Sequence, residues 1–268
     1  MNKNIGFIGS GNMAKAMIGG IIKSGLVKSE NIITSDLNEN TLKSIKSEFN
    51  INTTTKSEEV VKDSDIIIVA VKPNIYDMVL GSVSEFIDNK KIIVTIAAGK
   101  TISSIENVIG DDKKIIRTMP NTPALVNEGM SALCPNKNID GEELEMVKSI
   151  FNSFGKAEVV NEYLIDSVIG VSGSAPAYVF MFIEAMADAA VLHGMPRSQA
   201  YKFAAQAVMG SAKMVLETGT HPGELKDMVC SPGGTTIEAV KTLENKGFRG
   251  CVIDAITDCV EKSKEMSQ

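Results

Sequence analysis

The sequence predicts an α/β protein: an N-terminal doubly wound, mostly parallel sheet followed by an all-helical C-terminal part. Three observations predict it. The first part of the chain alternates short, continuous apolar runs with amphipathic helical patterns. A glycine turn directly follows the first of these runs. Beyond residue 160 the strand signals stop and only helical patterns continue.

Taken in order, the strand candidates are residues 4–8, 31–35, 65–71, 91–97, 114–118, 131–134 and 157–160. Most are apolar throughout rather than alternating, as expected of parallel strands buried on both faces. Amphipathic helices such as 14–24 and 41–48 lie between them, and this βαβ rhythm predicts the doubly wound sheet. In the second part, Ser174 can cap a helix that carries Pro176 in its first turn and runs through Phe182 and Met186 to His193. Gly194 and Pro196 stop it. A second long helix spans 197–217 and ends at Gly219; shorter ones follow at 224–229, 235–245 and 251–265. The expected division is a dinucleotide-binding domain over 1–161 and a helical substrate-binding and dimerisation domain over 162–268. The helical part carries Ala, Met, Val and Phe on more than one face, which predicts a homodimer or a higher homo-oligomer built from dimers.

The bulk numbers narrow the function. A net charge of -6 argues against a general nucleic-acid binder, which needs a basic surface. The four cysteines show no C-x-x-C pair, and the two histidines, His193 and His221, stand far apart. No metal site is expected. There is no run of about 18 apolar residues to span a membrane. The N-terminus enters a strand pattern without a signal peptide, so the expected location is cytoplasmic.

The glycine turn carries the first chemistry. Gly9-Ser10-Gly11-Asn12-Met13-Ala14 follows the strand that ends at Ile8 and opens a helix. Gly9 permits the tight turn, and Gly11 lets a pyrophosphate approach the backbone. Ala14 is small enough for close packing of helix on strand. The helix N-terminus supplies free N–H groups and a positive dipole end. The second strand ends at Ser35-Asp36, where an acidic residue bonds the ribose hydroxyls of NAD and repels the 2′-phosphate of NADP; the other reading of Asp36 is a turn or helix cap. Ala70-Val71-Lys72-Pro73 and Ala97-Ala98 end the third and fourth predicted strands at the carboxyl edge of the sheet, where ligands bind in this architecture. Lys72 can be a catalytic acid or a solvated surface lysine.

Two later segments suit a substrate. Met119-Pro120-Asn121-Thr122-Pro123 is stiffened by two prolines, as a pocket wall or an ordinary turn. Ser231-Pro232-Gly233-Gly234-Thr235-Thr236 precedes a helix, with Glu238 three residues after Thr235 in a capping-box pattern. Its glycines and hydroxyls make an anion cradle suited to a carboxylate, or simply a well-capped helix.

At this point the chain resembles Δ1-pyrroline-5-carboxylate reductases over essentially its whole length. The resemblance lies in Gly9 through Ala14, Ala70-Val71-Lys72-Pro73, the loop 119–123, Ser172-Gly173-Ser174-Ala175-Pro176-Ala177-Tyr178, and 225–244 around 231–236. Two positions depart: Ala175 stands where the family commonly has glycine, and Asp36 where relatives often place serine. The resemblance implies hydride transfer from NADPH or NADH to the imine carbon of 1-pyrroline-5-carboxylate, giving L-proline. It implies that Ser231 and the backbone of Gly233, Gly234 and Thr235 hold the substrate carboxylate. Thr236 would approach the ring nitrogen and assist proton delivery, and the two halves of the pocket would come from different subunits. Glu162 is read either as a contact for the substrate nitrogen or as a helix-end residue. The expected cofactor-binding set is Ile8, Gly9, Ser10, Gly11, Asn12, Met13, Ser35, Asp36, Ala70, Val71, Lys72, Pro73, Ala97 and Ala98. A β-hydroxyacid dehydrogenase is the nearest rival, but Lys241 and Asn245 match only part of its lysine–asparagine pattern. A non-catalytic dinucleotide sensor is a second rival, which the second anion cradle disfavours.

Overall fold

The structure is a computed structural model and describes residues 1–266. The chain divides into two compact units. One comprises residues 1–173 with the chain from Cys259 onward, the other residues 174–258.

The first unit holds one eight-stranded sheet. Its strands are β1 (Ile5–Ile8), β2 (Ile32–Ser35), β3 (Asn52–Thr54), β4 (Ile66–Val69), β5 (Ile92–Thr95), β6 (Lys114–Met119), β7 (Gly129–Pro135) and β8 (Gly155–Val159). The order is β3-β2-β1-β4-β5-β6-β7-β8, and only the β6–β7 pair is antiparallel. Alternate strand residues feed two cores. Phe7, Ile68, Val94 and Ile116 pack with α1 (Asn12–Lys23) and α6 (Gly141–Asn152) through Met17, Ile18, Ile150 and Phe151. Ile67, Val69, Ile93 and Ile115 pack on the other face. There they meet Val60 of α3 (Ser57–Asp63), Leu80 of α4 (Pro73–Val83) and Ile105 of α5 (Ile102–Ile109). Helices on both faces are why the central strands read as continuous apolar runs.

Every strand expected from the sequence is present within a few residues. One was missed: β3 is a three-residue edge strand of Asn and Thr, without an apolar run to announce it. It pairs parallel with β2 and sets the loop that follows beside α3.

Beyond β8 the chain is helical, as expected. A 3-10 turn (Glu162–Leu164), α7 (Ile165–Val168) and a π-helical turn (Ile169–Gly173) belong to the first unit. Ile165 joins Met119, Ala132 and Cys134 in a third apolar cluster. The second unit begins with α8 (Ala175–Leu192) and α9 (Arg197–Thr218), followed by α10 (Pro222–Val229) and α11 (Thr235–Asn245). It also takes the first part of α12 (Phe248–Met266). Gly194 and Gly219 have φ of 93° and 64°, the left-handed backbone expected just past a helix.

Ser174 stands at the N-cap position of α8, as expected, but without the expected capping bond. Its backbone is already helical. A π-helical turn ends at Gly173 immediately before it, and the bend at Ser174 separates that turn from α8. Pro176 has no N–H to offer the Ser172 carbonyl four residues back. That carbonyl accepts from Asn121 Nδ2 at 3.2 Å instead.

The span Glu162–Leu192 is long and apolar enough to cross a membrane by length and composition. Within the second unit, Phe180, Met181, Phe203 and Leu216 are exposed.

Cys134 is buried in β7, and burial pushes its thiol up to about 11 from the usual 9. It is expected to resist alkylation in the folded protein at neutral pH while the exposed Cys251 reacts. Because the folded thiol holds its proton more tightly than the unfolded one, its contribution to stability is present below pH 9. It is lost as the pH rises through about 11. Mass-spectrometric mapping of labelled cysteines checks the reactivity, and denaturant titrations across that window check the sign.

Candidate active site

The strand order reverses between β1 and β4, and the carboxyl ends of those two strands bound a crevice. A cavity of about 560 Å³ opens there. Its floor is the glycine turn. Gly9 has φ of 98°, and a Cβ at that position would lie 2.8 Å from the Ala70 carbonyl oxygen. Its N–H donates to Ser35 O at 2.8 Å, tying the turn to β2. Ser10 is buried, its hydroxyl 2.8 Å from Thr34 Oγ1. Gly11 faces open space, with nothing within 4 Å of where a Cβ would stand.

Gly11 is also the N-cap of α1, and no side chain caps that helix. Its first turn contains no acidic residue. The first N–H groups of α1 therefore have no acceptor within the helix, and the positive dipole end is uncompensated. This suits a pyrophosphate.

Of the cofactor residues expected from the sequence, Ile8, Gly9, Ser10, Gly11, Ser35, Asp36, Ala70, Val71 and Lys72 line this cavity. Asn12 and Met13 open α1 directly behind it, and Pro73 occupies the first position of α4 behind Lys72. Ala97 is buried in the second core and Ala98 packs against the third cluster; neither lines the cavity. Sequence reading missed Leu37, Thr55, Ser57, Ile75, Met78, Val79 and Ser82. Two signals pointed to them. Ile75, Met78 or Val79, and Ser82 follow helical spacing on one face of α4. Thr55 and Ser57 belong to a hydroxyl-rich run, Thr53 through Ser57, whose position beside β2 depends on the unrecognised β3.

Asp36 is bonded on both oxygens. Oδ2 accepts from Ser10 N at 3.0 Å and Oδ1 from Asn38 N at 2.9 Å. It does not cap α2 (Glu39–Phe49), whose cap is Asn38. Lys72 is the N-cap residue of α4, with no side-chain capping bond.

Glu162 opens the 3-10 turn after β8, with Asn161 as its N-cap. Its Oε1 accepts from Ile102 N, the first N–H of α5, and from Arg117 Nη1, both at 2.8 Å. Arg117 lies in β6 with its side chain 4% exposed. Glu162 also lines a separate hollow of about 370 Å³ with Cys134, Pro135 and Asn161. Of its two readings, the geometry favours the helix-end residue that holds neighbouring elements together.

In the second unit, Ser231-Pro232-Gly233-Gly234 is a tight turn closed by Gly234 N to Ser231 O at 3.0 Å. Proline at the second position and Gly233 at the third, with φ of 68°, give a type II pattern. Ser231, Gly233, Gly234, Thr235 and Thr236 come together where α11 starts. The expected capping box is not formed. Gly234 takes the cap position with extended backbone, Thr235 is already the first helical residue, and no side chain caps the helix. Glu238 pairs with Lys241 at 3.2 Å instead of reaching back. The first N–H groups of α11 are thereby left without helical acceptors, with the Ser231 side chain beside the Gly234 cap. The 119–123 segment turns into a 3-10 helix (Thr122–Val126). Asn121 bridges it to Met130 N through Oδ1 at 2.8 Å and to Ser172 through Nδ2 at 3.2 Å. Among the described residues no group of His, Cys, Asp or Glu is arranged to hold a metal ion.

The strand order, its reversal at a glycine turn and the helical second unit define the class: Rossmann-type dinucleotide-binding oxidoreductases with an α-helical C-terminal domain. Comparison with known proteins narrows it. Residues 162–266 match the family described as "Pyrroline-5-carboxylate reductase dimerisation", and residues 4–99 match "NADP oxidoreductase coenzyme F420-dependent". The pyrroline-5-carboxylate reductase of Escherichia coli (strain K12) is 57% identical over 268 residues, covering 100% of both chains. The solved pyrroline-5-carboxylate reductase of Coxiella burnetii superposes with a TM-score of 0.94 at 33% identity, covering 100% of both chains. That of Plasmodium falciparum, solved with NADP bound, gives 0.90 at 34% identity, covering 100% of this chain and 99% of the other. The chain belongs to the pyrroline-5-carboxylate reductase family.

Proposed function

We propose that this chain reduces the carbon–nitrogen double bond of 1-pyrroline-5-carboxylate with NAD(P)H, giving L-proline in the last step of proline biosynthesis. The full-length match to the family carries the reading; the geometry supplies the roles. The cavity at Gly9 and Gly11 receives the dinucleotide, with its pyrophosphate on the open N-terminus of α1. Ser35 and Asp36 face the ribose corner, while Ala70, Val71 and Lys72 line the end of β4. When bound, the reduced nicotinamide supplies the hydride.

The remaining chemistry belongs to the chain. The substrate carboxylate lies on the uncapped N-terminus of α11, taken up by the Ser231 hydroxyl and the backbone of Gly233, Gly234 and Thr235. An imine nitrogen is basic enough to be partly protonated near neutral pH, so no strongly perturbed acid is required. The new C–H bond takes the hydride's electron pair, and the C=N π pair becomes the lone pair of the secondary amine. Thr236 orients the ring nitrogen and relays the proton it needs. Catalysis is mainly positioning. The exposed apolar surface of the second unit supports assembly into a homo-oligomer built from dimers. Cys134, Cys230 and Cys251 form no disulfide, which suits the reducing cytoplasm.

Thr236→Ala is expected to lower kcat on the imine by about tenfold to a hundredfold, within the range for lost proton-transfer assistance. Dinucleotide affinity should stay within twofold or so. The assay follows nicotinamide oxidation with 1-pyrroline-5-carboxylate and identifies proline by mass spectrometry. Oxidation supported by oxo acids, the hydride acceptors of a hydroxyacid dehydrogenase, but not by the imine sinks the proposed activity; unchanged kcat in the variant removes Thr236 from the mechanism.

A further inference from the structure

The ribose corner of the cavity holds one negative charge that cannot move away. Asp36 sits just past β2, and its two carboxylate oxygens are anchored by separate backbone N–H groups, those of Ser10 and Asn38. One anchor belongs to the glycine turn itself, so the carboxylate is fixed relative to the floor on which a pyrophosphate would lie. Charge-assisted bonds of this kind resist rotation. Each oxygen retains a further lone pair for a hydroxyl donor.

The cations nearby in sequence do not offset this charge. Lys56 pairs with Glu59 at 3.3 Å and Lys43 with Glu39 at 4.0 Å, and neither lines the cavity. Among the residues that do line it, the charged ones are Asp36 and Lys72, and Lys72 stands at the end of β4 rather than β2. The other groups beside Asp36 are the hydroxyls of Ser35, Thr55 and Ser57 and the side chain of Leu37.

Building on the dinucleotide reading above, we propose that Asp36 makes this chain selective for NADH over NADPH. The anchored carboxylate accepts from the ribose hydroxyls of NADH. It meets the 2′-phosphate of NADPH as a like charge, with no arginine or lysine at the ribose corner to neutralise either one. The serine and threonine hydroxyls can bond a phosphate but carry no compensating charge.

The test separates binding from turnover. Calorimetric titration of the full-length protein with ADP-ribose and with its 2′-phosphorylated form measures the corner directly, without imine or hydride transfer. ADP-ribose is expected to bind about tenfold more tightly or better, and steady-state kcat/KM for NADH over NADPH should follow the same direction. Asp36→Asn removes the charge while keeping an acceptor for one anchor, and Asp36→Ser removes the carboxylate entirely. Each should shift the ratio at least about tenfold towards the phosphorylated ligand. Equal or tighter binding of the 2′-phosphorylated form by the unmodified protein overturns the proposal, with no variant needed. An unchanged ratio in both variants also overturns it, leaving Asp36 as a clasp on the glycine turn. Failure of both probes to bind overturns the dinucleotide reading as well, whereas normal imine reduction with a reversed cofactor ratio overturns the selectivity alone.

Discussion

Gly9→Ala is expected to weaken dinucleotide binding by more than about a hundredfold and to destabilise the first unit. Two penalties combine. A φ of 98° is one that L side chains rarely adopt, and the new methyl would sit 2.8 Å from the Ala70 carbonyl oxygen, which is backbone and cannot swing aside. Left-handed backbone costs about 1–2 kcal/mol and forced overpacking about 1–3 kcal/mol. The turn can escape both only by shifting away from β4, which moves the Gly9–Ser35 and Ser10–Asp36 bonds and with them the floor of the cavity. Gly11→Ala is the matched comparison. Its φ is -70° and a methyl there meets nothing within 4 Å, so the fold should tolerate it. The methyl nevertheless stands where a pyrophosphate must approach. Calorimetric titration with NADH beside thermal unfolding distinguishes the two: Gly9→Ala should lose both affinity and stability, Gly11→Ala affinity alone. Equal stability losses would mean that the glycines serve only chain reversal.

Glu162→Ala should destabilise the protein by about 3 kcal/mol, because removing the half-buried partner strands the buried Arg117 charge. Arg117 is 4% exposed, Glu162 supplies its carboxylate, and the Arg117 Nε already has no partner among the described residues. The same carboxylate oxygen caps the first N–H of α5, so the loss is shared by two elements. The melting temperature should fall by roughly 6–12 °C for a domain of this size. Glu162→Gln keeps an oxygen in place for both donors and should recover more than half of the loss. If Glu162 instead served the substrate nitrogen, the glutamine variant would lose turnover with its melting temperature intact. Differential scanning calorimetry alongside imine kinetics settles which pattern holds.

The central strands were legible because the doubly wound sheet buries both faces, leaving β1 and β4 apolar throughout and β5 apolar up to Thr95. The helix ends at Gly194 and Gly219 were legible because glycine takes a left-handed stop without a Cβ penalty. Two local patterns misled. Ser174 holds the cap position as its place before alanine and proline suggested, yet its backbone is already helical and its side chain makes no capping bond. Thr235 and Glu238 had the spacing of a capping box, yet Gly234 took the cap, since the preceding type II turn fixes which residue is last outside the helix. Spacing alone does not reveal which residue bears the non-helical backbone.

By itself, the sequence determined where two helices open behind glycine turns, the places proposed to hold phosphate and carboxylate. Gly9, Gly11, Gly233 and Gly234 do this by local geometry, and local geometry is written in adjacent residues. Only the tertiary structure decided what completes those places. Thr55 and Ser57 reach the ribose corner through β3, and Ile75, Val79 and Ser82 through the packing of α4. Glu162 is committed to Arg117 across 45 positions, and Asp36 is locked onto Ser10 across 26. Such pairings depend on which strands lie side by side, and strand order is fixed by the burial of whole elements rather than by any motif. The glycine turn was therefore readable as a binding place from its own residues. The Asp36 carboxylate, which we propose sets its selectivity, became fixed only once β2 lay beside β1.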